Sequence, residues 1–148
     1  MNDAQKRSAL LRHWEYAGES DQSIAHEIYH DDAVLEFPQS GERFVGVANI
    51  KPWREKYPAS LAFEVRNLRG MGDFWVAENA ISYDGAPWSF TVSIVEFRGK
   101  KVAHETIYIM ETWEAAEWRE PWRDGVPNRW DAPRTENAYT PPSTERRP

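Results

Sequence analysis

Residues 74–83 read FWVAENAISY and residues 88–97 read WSFTVSIVEF, joined by Asp84-Gly85-Ala86-Pro87. Both stretches alternate with a period of two, the period of a strand. Trp88, Phe90, Val92 and Ile94 share one face of the second stretch; Ser89, Thr91, Ser93 and Val95 share the other. In the first, Trp75, Ala77, Asn79, Ile81 and Tyr83 oppose Phe74, Val76, Glu78 and Ala80. Similar stretches flank this pair, so strands are predicted over 61–69, 74–84, 87–97 and 101–112. Their separators, Gly70-Met71-Gly72-Asp73, Asp84-Gly85 and Arg98-Gly99-Lys100, suit tight antiparallel connections.

The N-terminal half reads helical. Leu10, Leu11, Trp14 and Ala17 sit at helical spacing within residues 4–17, and Gly18 follows as a stop. Asp21 can cap a second helix that buries Ile24, Ile28 and Tyr29 and ends at Asp31-Asp32. Ala33 to Phe37 forms a short strand broken by Pro38, and residues 39–42 a turn. A third helix after Gly46 carries Ile50, Trp53 and Tyr57 and closes at Pro58. Three helices followed by a meander give an α+β domain, with helices packed on one face of a curved, mainly antiparallel sheet.

The meander has apolar side chains on both faces, so both need cover. Helices cover one. A second copy of the chain is the economical cover for the other, through Trp88, Phe90, Val92 and Ile94 with Val102, Tyr108 and Met110, and a homodimer is predicted.

The 148 residues fit one domain, placed at residues 1–118. Six of the ten prolines lie in residues 121–148. Residues 119–148 therefore read as an extended or disordered tail, with Trp118, Trp122 and Trp130 pinning its start to the body. The absence of cysteine rules out disulfides, thiolate metal sites and a thiol nucleophile. A net charge of −6 argues against nucleic acid as a partner. Apolar runs fall far short of the ~20 residues that span a bilayer, and the charged N-terminal stretch lacks a signal peptide's apolar core. A soluble cytoplasmic protein is expected.

His26-Glu27-Ile28-Tyr29-His30 matches H-E-x-x-H, the zinc-hydrolase helix pattern. It ends a short segment, and only His13 and His104 could supply a third histidine, so surface histidines are the expected reading and no metal is assigned. His104 and Glu105 are adjacent on a strand, face opposite sides and cannot act as a dyad. No G-x-S-x-G and no Gly-rich phosphate loop occur, and no cofactor is expected.

The stretch YHDDAVLEFP at 29–38, the helix after Gly46, and the Gly99-Lys100-Lys101-Val102 turn leading to His104-Glu105-Thr106-Ile107-Tyr108 resemble the NTF2-like superfamily. Within it they resemble the SnoaL-like group of polyketide cyclases, ketosteroid isomerases and relatives. The resemblance spans about residues 4–115 and implies a cone-shaped barrel: a curved sheet wrapped around helices, with a deep apolar pocket and frequent dimerisation through the sheet. Carried over by position, the isomerases' helix Tyr is His13, their strand Asp is Ser93 and their base is Phe37. Phe37 cannot take a proton, so ketosteroid isomerisation is not expected.

The resemblance implies that Glu105 is the late-strand acid of SnoaL-like cyclases and the related limonene epoxide hydrolases, whose Asp–Arg–Asp arrangement has no counterpart here. It gives Glu105, His13 and Tyr83 as the catalytic set. Phe37, Trp53, Trp75, Asn79, Ile81, Thr91, Ser93 and Ile109 would line the pocket around a small apolar molecule. Burial disfavours a charged carboxylate, which suits acid–base work near neutral pH. Two functions compete: an acid–base enzyme of isomerase, cyclase or hydrolase type on an apolar, carbonyl-bearing substrate, and a non-catalytic ligand-binding or dimeric interaction module.

Overall fold

The computed structural model describes residues 1–125. Helix α1 (Asp3–Tyr16) starts at a capping box, with the Asn2 side chain on Gln5 N and the Gln5 side chain on Asn2 N. Leu10 and Trp14, one turn apart, bury its inner face. Lys6 is also buried; its Nζ donates to Gly72 O (2.9 Å) and Asp73 Oδ1 (3.0 Å), which fastens α1 to a hairpin of the sheet.

The second predicted helix does not form. Ala25–Ile28 make one 3-10 turn, and Tyr29 already opens strand β1 (Tyr29–Phe37). A helix this short is marginal by itself, whereas β1 gains two neighbours in the sheet. Strand β2 (Glu42–Val45), which the sequence reading does not include, starts at the last residue of the expected turn and pairs antiparallel with β1. The third helix shortens to a 3-10 turn at Val47–Asn49 followed by α2 (Lys51–Glu55), with Pro52 in its first turn.

The meander follows as β3 (Leu61–Met71), β4 (Phe74–Tyr83), β5 (Ser89–Arg98) and β6 (Lys101–Met110). The six-stranded sheet has the order β2-β1-β6-β5-β4-β3; β1 and β6 run parallel and every other pair antiparallel. It is an open mixed sheet with β2 and β3 as edges, not a closed barrel. The core lies between α1 and the inner face, where Leu10, Trp14, Ile28, Tyr29, Trp75, Val95 and Val102 pack together.

Val102 corrects the face assignment. Phe97 pairs with Val102 but Glu96 with His104, so Ala103 is an extra residue in β6. This bulge turns both Val102 and Glu105 inward, although their parity differs. Val102 thus leaves the outer apolar row and joins the core. The outer face keeps Phe90, Val92 and Ile94, half-buried, with Tyr108 and Met110 exposed.

After β6, Glu117–Trp122 form a 3-10 turn. Trp118 and Trp122 do not pin it to the body: they are 70% and 77% exposed, and Trp113 is 79% exposed. Trp130 and the rest of the proposed tail beyond residue 125 lie outside the described residues. Among the described residues no helix is long and apolar enough to cross a membrane.

Candidate functional site

Glu105 stands on β6 level with Leu35 of β1 and Val95 of β5. It is 2% exposed, at the inner end of a cavity of about 100 Å³ between α1, α2 and the sheet. The Tyr29 hydroxyl donates to its Oε1. Arg54, on α2, donates through Nη1 to the Tyr29 oxygen (3.2 Å) and to His26 Nε2 (3.3 Å). A relay therefore runs from Arg54 through Tyr29 to Glu105. It leaves Oε2 without a hydrogen bond to any described residue.

The protonation states follow from these contacts. Burial raises the Tyr29 phenol pKa and Glu105 adds to it, outweighing Arg54, so Tyr29 stays a neutral donor. Burial works against the Arg54 charge, but Tyr29 and Glu105 outweigh it and raise its pKa. His26 is lowered to about 4, by burial first and by the Arg54 charge second. A neutral His26 fits both its bonds, with Nδ1–H donating to Gln22 O (2.9 Å) and Nε2 accepting from Arg54.

His13 lines the same cavity. Burial lowers its pKa, against the opposing pull of Glu105. Its Nδ1 meets Ala25 O at 2.6 Å. A carbonyl only accepts, so the proton sits on Nδ1 and Nε2 is left as an acceptor. Neutral His13 therefore offers the cavity an acceptor and no donor. Donors come instead from Thr91 and Ser93, which line the cavity with hydroxyls bonded to no described residue.

Phe37, Trp53, Ile81, Thr91, Ser93 and Ile109 all line the cavity, as do Glu105, His13 and Tyr83. Trp75 and Asn79 do not. Trp75 is core, with Nε1 on Gly72 O (3.0 Å). Asn79 is fully buried, and with its amide oriented to satisfy both neighbours its oxygen accepts from Trp14 Nε1 at 3.1 Å. Tyr83 lines the cavity at its mouth, not beside Glu105. Glu105 is level with Val95 and hence with Trp75, and Tyr83 lies eight residues farther along β4, roughly 26 Å of extended strand. There it faces the Tyr57 ring (centroids 6.1 Å apart).

The mouth opens into a vestibule of about 770 Å³ that shares Phe37, Trp53, Tyr57, Tyr83 and Ile109 with the inner cavity. The cavity alone is too small for most metabolites; together the two spaces reach the ~300–1,000 Å³ of ordinary ligand sites.

The zinc motif is taken apart by the fold. His26 is in the 3-10 turn and bonded to Gln22 and Arg54, while His30 is on β1 with Nε2 at 2.5 Å from Arg98 O. Among the described residues no His, Cys, Asp or Glu side chains cluster as a metal requires.

A solved structure of an NTF2-like protein of unknown function from Burkholderia xenovorans LB400 is 42% identical, with a TM-score of 0.79, across 86% of this chain and 99% of that one. The chain belongs to the NTF2-like family. Two further structures share the fold at lower identity. One is a candidate ketosteroid isomerase from Kribbella flavida DSM 17836 (22% identical, TM-score 0.74, covering 86% of this chain and 95% of that one). The other is an LEH-like epoxide hydrolase from M. tuberculosis (12% identical, TM-score 0.61, covering 72% and 83%). No protein-family model and no curated protein matches the chain.

Sequence reasoning missed Tyr29 and Arg54 in this NTF2-like site. Tyr29 had a usable signal: it shares odd parity with Ala33, Leu35 and Phe37, and extending that strand backwards turns it inward. Arg54 follows Trp53 on a helix of five residues, too short to show a periodic pattern.

Proposed function

We propose that this NTF2-like protein binds a small apolar, carbonyl- or epoxide-bearing molecule and moves a proton on it, with Glu105 as acid or base. The observation that carries the reading is the buried Glu105 carboxyl at the end of an aromatic cavity, one oxygen held by Tyr29 and the other unengaged. A carboxyl held at one oxygen is oriented and still has a lone pair for a substrate proton. As base, Oε2 takes a proton from carbon next to a carbonyl and the electron pair moves onto the carbonyl oxygen. Thr91 and Ser93 can donate to that oxygen as its charge grows. The proton then returns from Oε2 at another atom of the substrate. His13 Nε2 can accept a hydrogen bond from the substrate.

A homodimer through the outer sheet face belongs to the same proposal, supported by the apolar row Phe90, Val92, Ile94, Tyr108 and Met110. The test is a panel of cyclic ketones, β-dicarbonyl compounds and epoxides, incubated with wild type and with Glu105→Gln. The reading expects a compound turned over by wild type and not by the variant. Ligands that bind in the cavity while no member of the panel is turned over would favour a non-catalytic binding module.

A further inference from the structure

The vestibule is walled by aromatic rings. Phe37, Phe44, Trp53, Tyr57 and Tyr83 line it; Phe44 lies 5.1 Å from Trp53 and 6.3 Å from Phe37 between ring centroids. The charged residues of its wall are Glu42 and Glu111, and among the described residues no Lys, Arg or His lines it. Arg43, although it sits between Glu42 and Phe44, reaches Glu36 at 3.7 Å on the other face of the sheet.

The face of an aromatic ring attracts a cation and a carboxylate adds to that potential, so a wall of rings and carboxylates with no basic side chain favours a cation over an anion. A bulky, weakly hydrated cation loses little on entering such a wall, whereas a small hydrated ion loses its water shell. The inner cavity, by contrast, already holds a cation: Arg54, whose guanidinium donates to Tyr29 and lies 5.6 Å from the Trp53 ring centre. A second positive charge is disfavoured beside it.

We infer that the vestibule takes the ammonium group of a small organic cation, a tertiary or quaternary amine, whose apolar remainder points inward past Trp53. The direction of the ligand rests on the proposed role of Glu105; the preference for a cation does not.

Choline and neohexanol, its uncharged analogue with carbon in place of nitrogen, are the probes, titrated calorimetrically at low salt. Wild type should bind choline at least ~10-fold more tightly than neohexanol. Phe44→Leu should narrow that ratio, and so should Glu42→Gln on the exposed rim. Glu105→Gln should bind choline as wild type does, whatever it does to turnover, so a failure of the catalytic reading is separable from a failure of this one. Equal or tighter binding of neohexanol to wild type would overturn the inference. So would a choline affinity that Phe44→Leu and Glu42→Gln leave unchanged, or one that Glu105→Gln abolishes.

Discussion

The Tyr29 hydroxyl, on the first strand, donates to the Glu105 carboxylate on the last, 76 residues away in sequence. The parallel pairing of β1 with β6 makes this possible, because it sets Leu35 level with Glu105 and brings Tyr29 level with Val102. The bond orients the carboxyl, and Arg54 in turn holds Tyr29.

Tyr29→Phe keeps the ring and removes that donor. It leaves Glu105 Oε1 and one Arg54 N–H unpaired in a buried place, which should cost about 1–3 kcal/mol. Urea unfolding measures it. A midpoint equal to wild type would mean that the relay contributes nothing to the fold.

Three buried or part-buried histidines make stability depend on pH, two in one sense and one in the other. His26 titrates near 4 in the folded chain, below its ordinary 6.5. The unfolded chain therefore binds the extra proton first, and stability is lost as pH falls from about 6.5 towards 4. His13 is lowered too and acts in the same sense. His104 is the reverse. Burial opposes its charge, but Glu36 at 2.7 Å and Glu96 at 2.8 Å raise its pKa. Its contribution is complete below the unfolded value of 6.5 and is lost as pH rises through the folded one. His104 is partly exposed, so solvent screening keeps that contribution small. In a series of urea midpoints, His26→Gln should flatten the acid limb and His104→Gln the limb above pH 6.5. An acid limb unchanged in His26→Gln would contradict the assignment.

Gly18 does more than end α1. A Cβ there would sit 2.2 Å from Leu61 O, a backbone atom at the start of β3. Gly18→Ala must push the helix end from the sheet and should lower stability by roughly 1–3 kcal/mol. Thermal unfolding of the variant would show it, and an unchanged melting temperature would place the two segments farther apart than the fold does.

The outer face predicts self-association. Half-buried Phe90, Val92 and Ile94 form a row with the exposed Tyr108 and Met110, an apolar patch that a second copy of the chain would cover. Light scattering at micromolar concentration should give twice the 17.2 kDa of one chain. A monomer mass would remove the dimer from the account.

The meander was legible because four stretches rich in β-branched and aromatic residues are separated by glycine-containing turns; all four strands form close to their expected limits. Strand parity grouped Glu105 with Ile107 and Ile109, and the family resemblance turned that face inward. Parity failed at Val102, because one extra residue at Ala103 resets the count and nothing in the local sequence announces a bulge. The segment around Tyr29 failed for another reason. Ile24, Ile28 and Tyr29 fit a helical stripe as well as a strand end, and only pairing with β2 and β6, distant in sequence, decides between them. Tyr83 entered the catalytic set because the resemblance turns its face of the strand inward. Parity gives the face of a sheet but not the height along it, and the register sets Tyr83 at the mouth.

The central claim is that Glu105 transfers a proton. Its most direct measurement is hydrogen–deuterium exchange at carbon next to the carbonyl of a cavity-binding ketone, followed by NMR in D₂O with wild type and Glu105→Gln. The account predicts exchange accelerated by wild type and slowed ~10²–10⁴-fold in the variant, with the ketone still bound. Equal exchange rates for the two proteins, with the ketone bound to both, would contradict it.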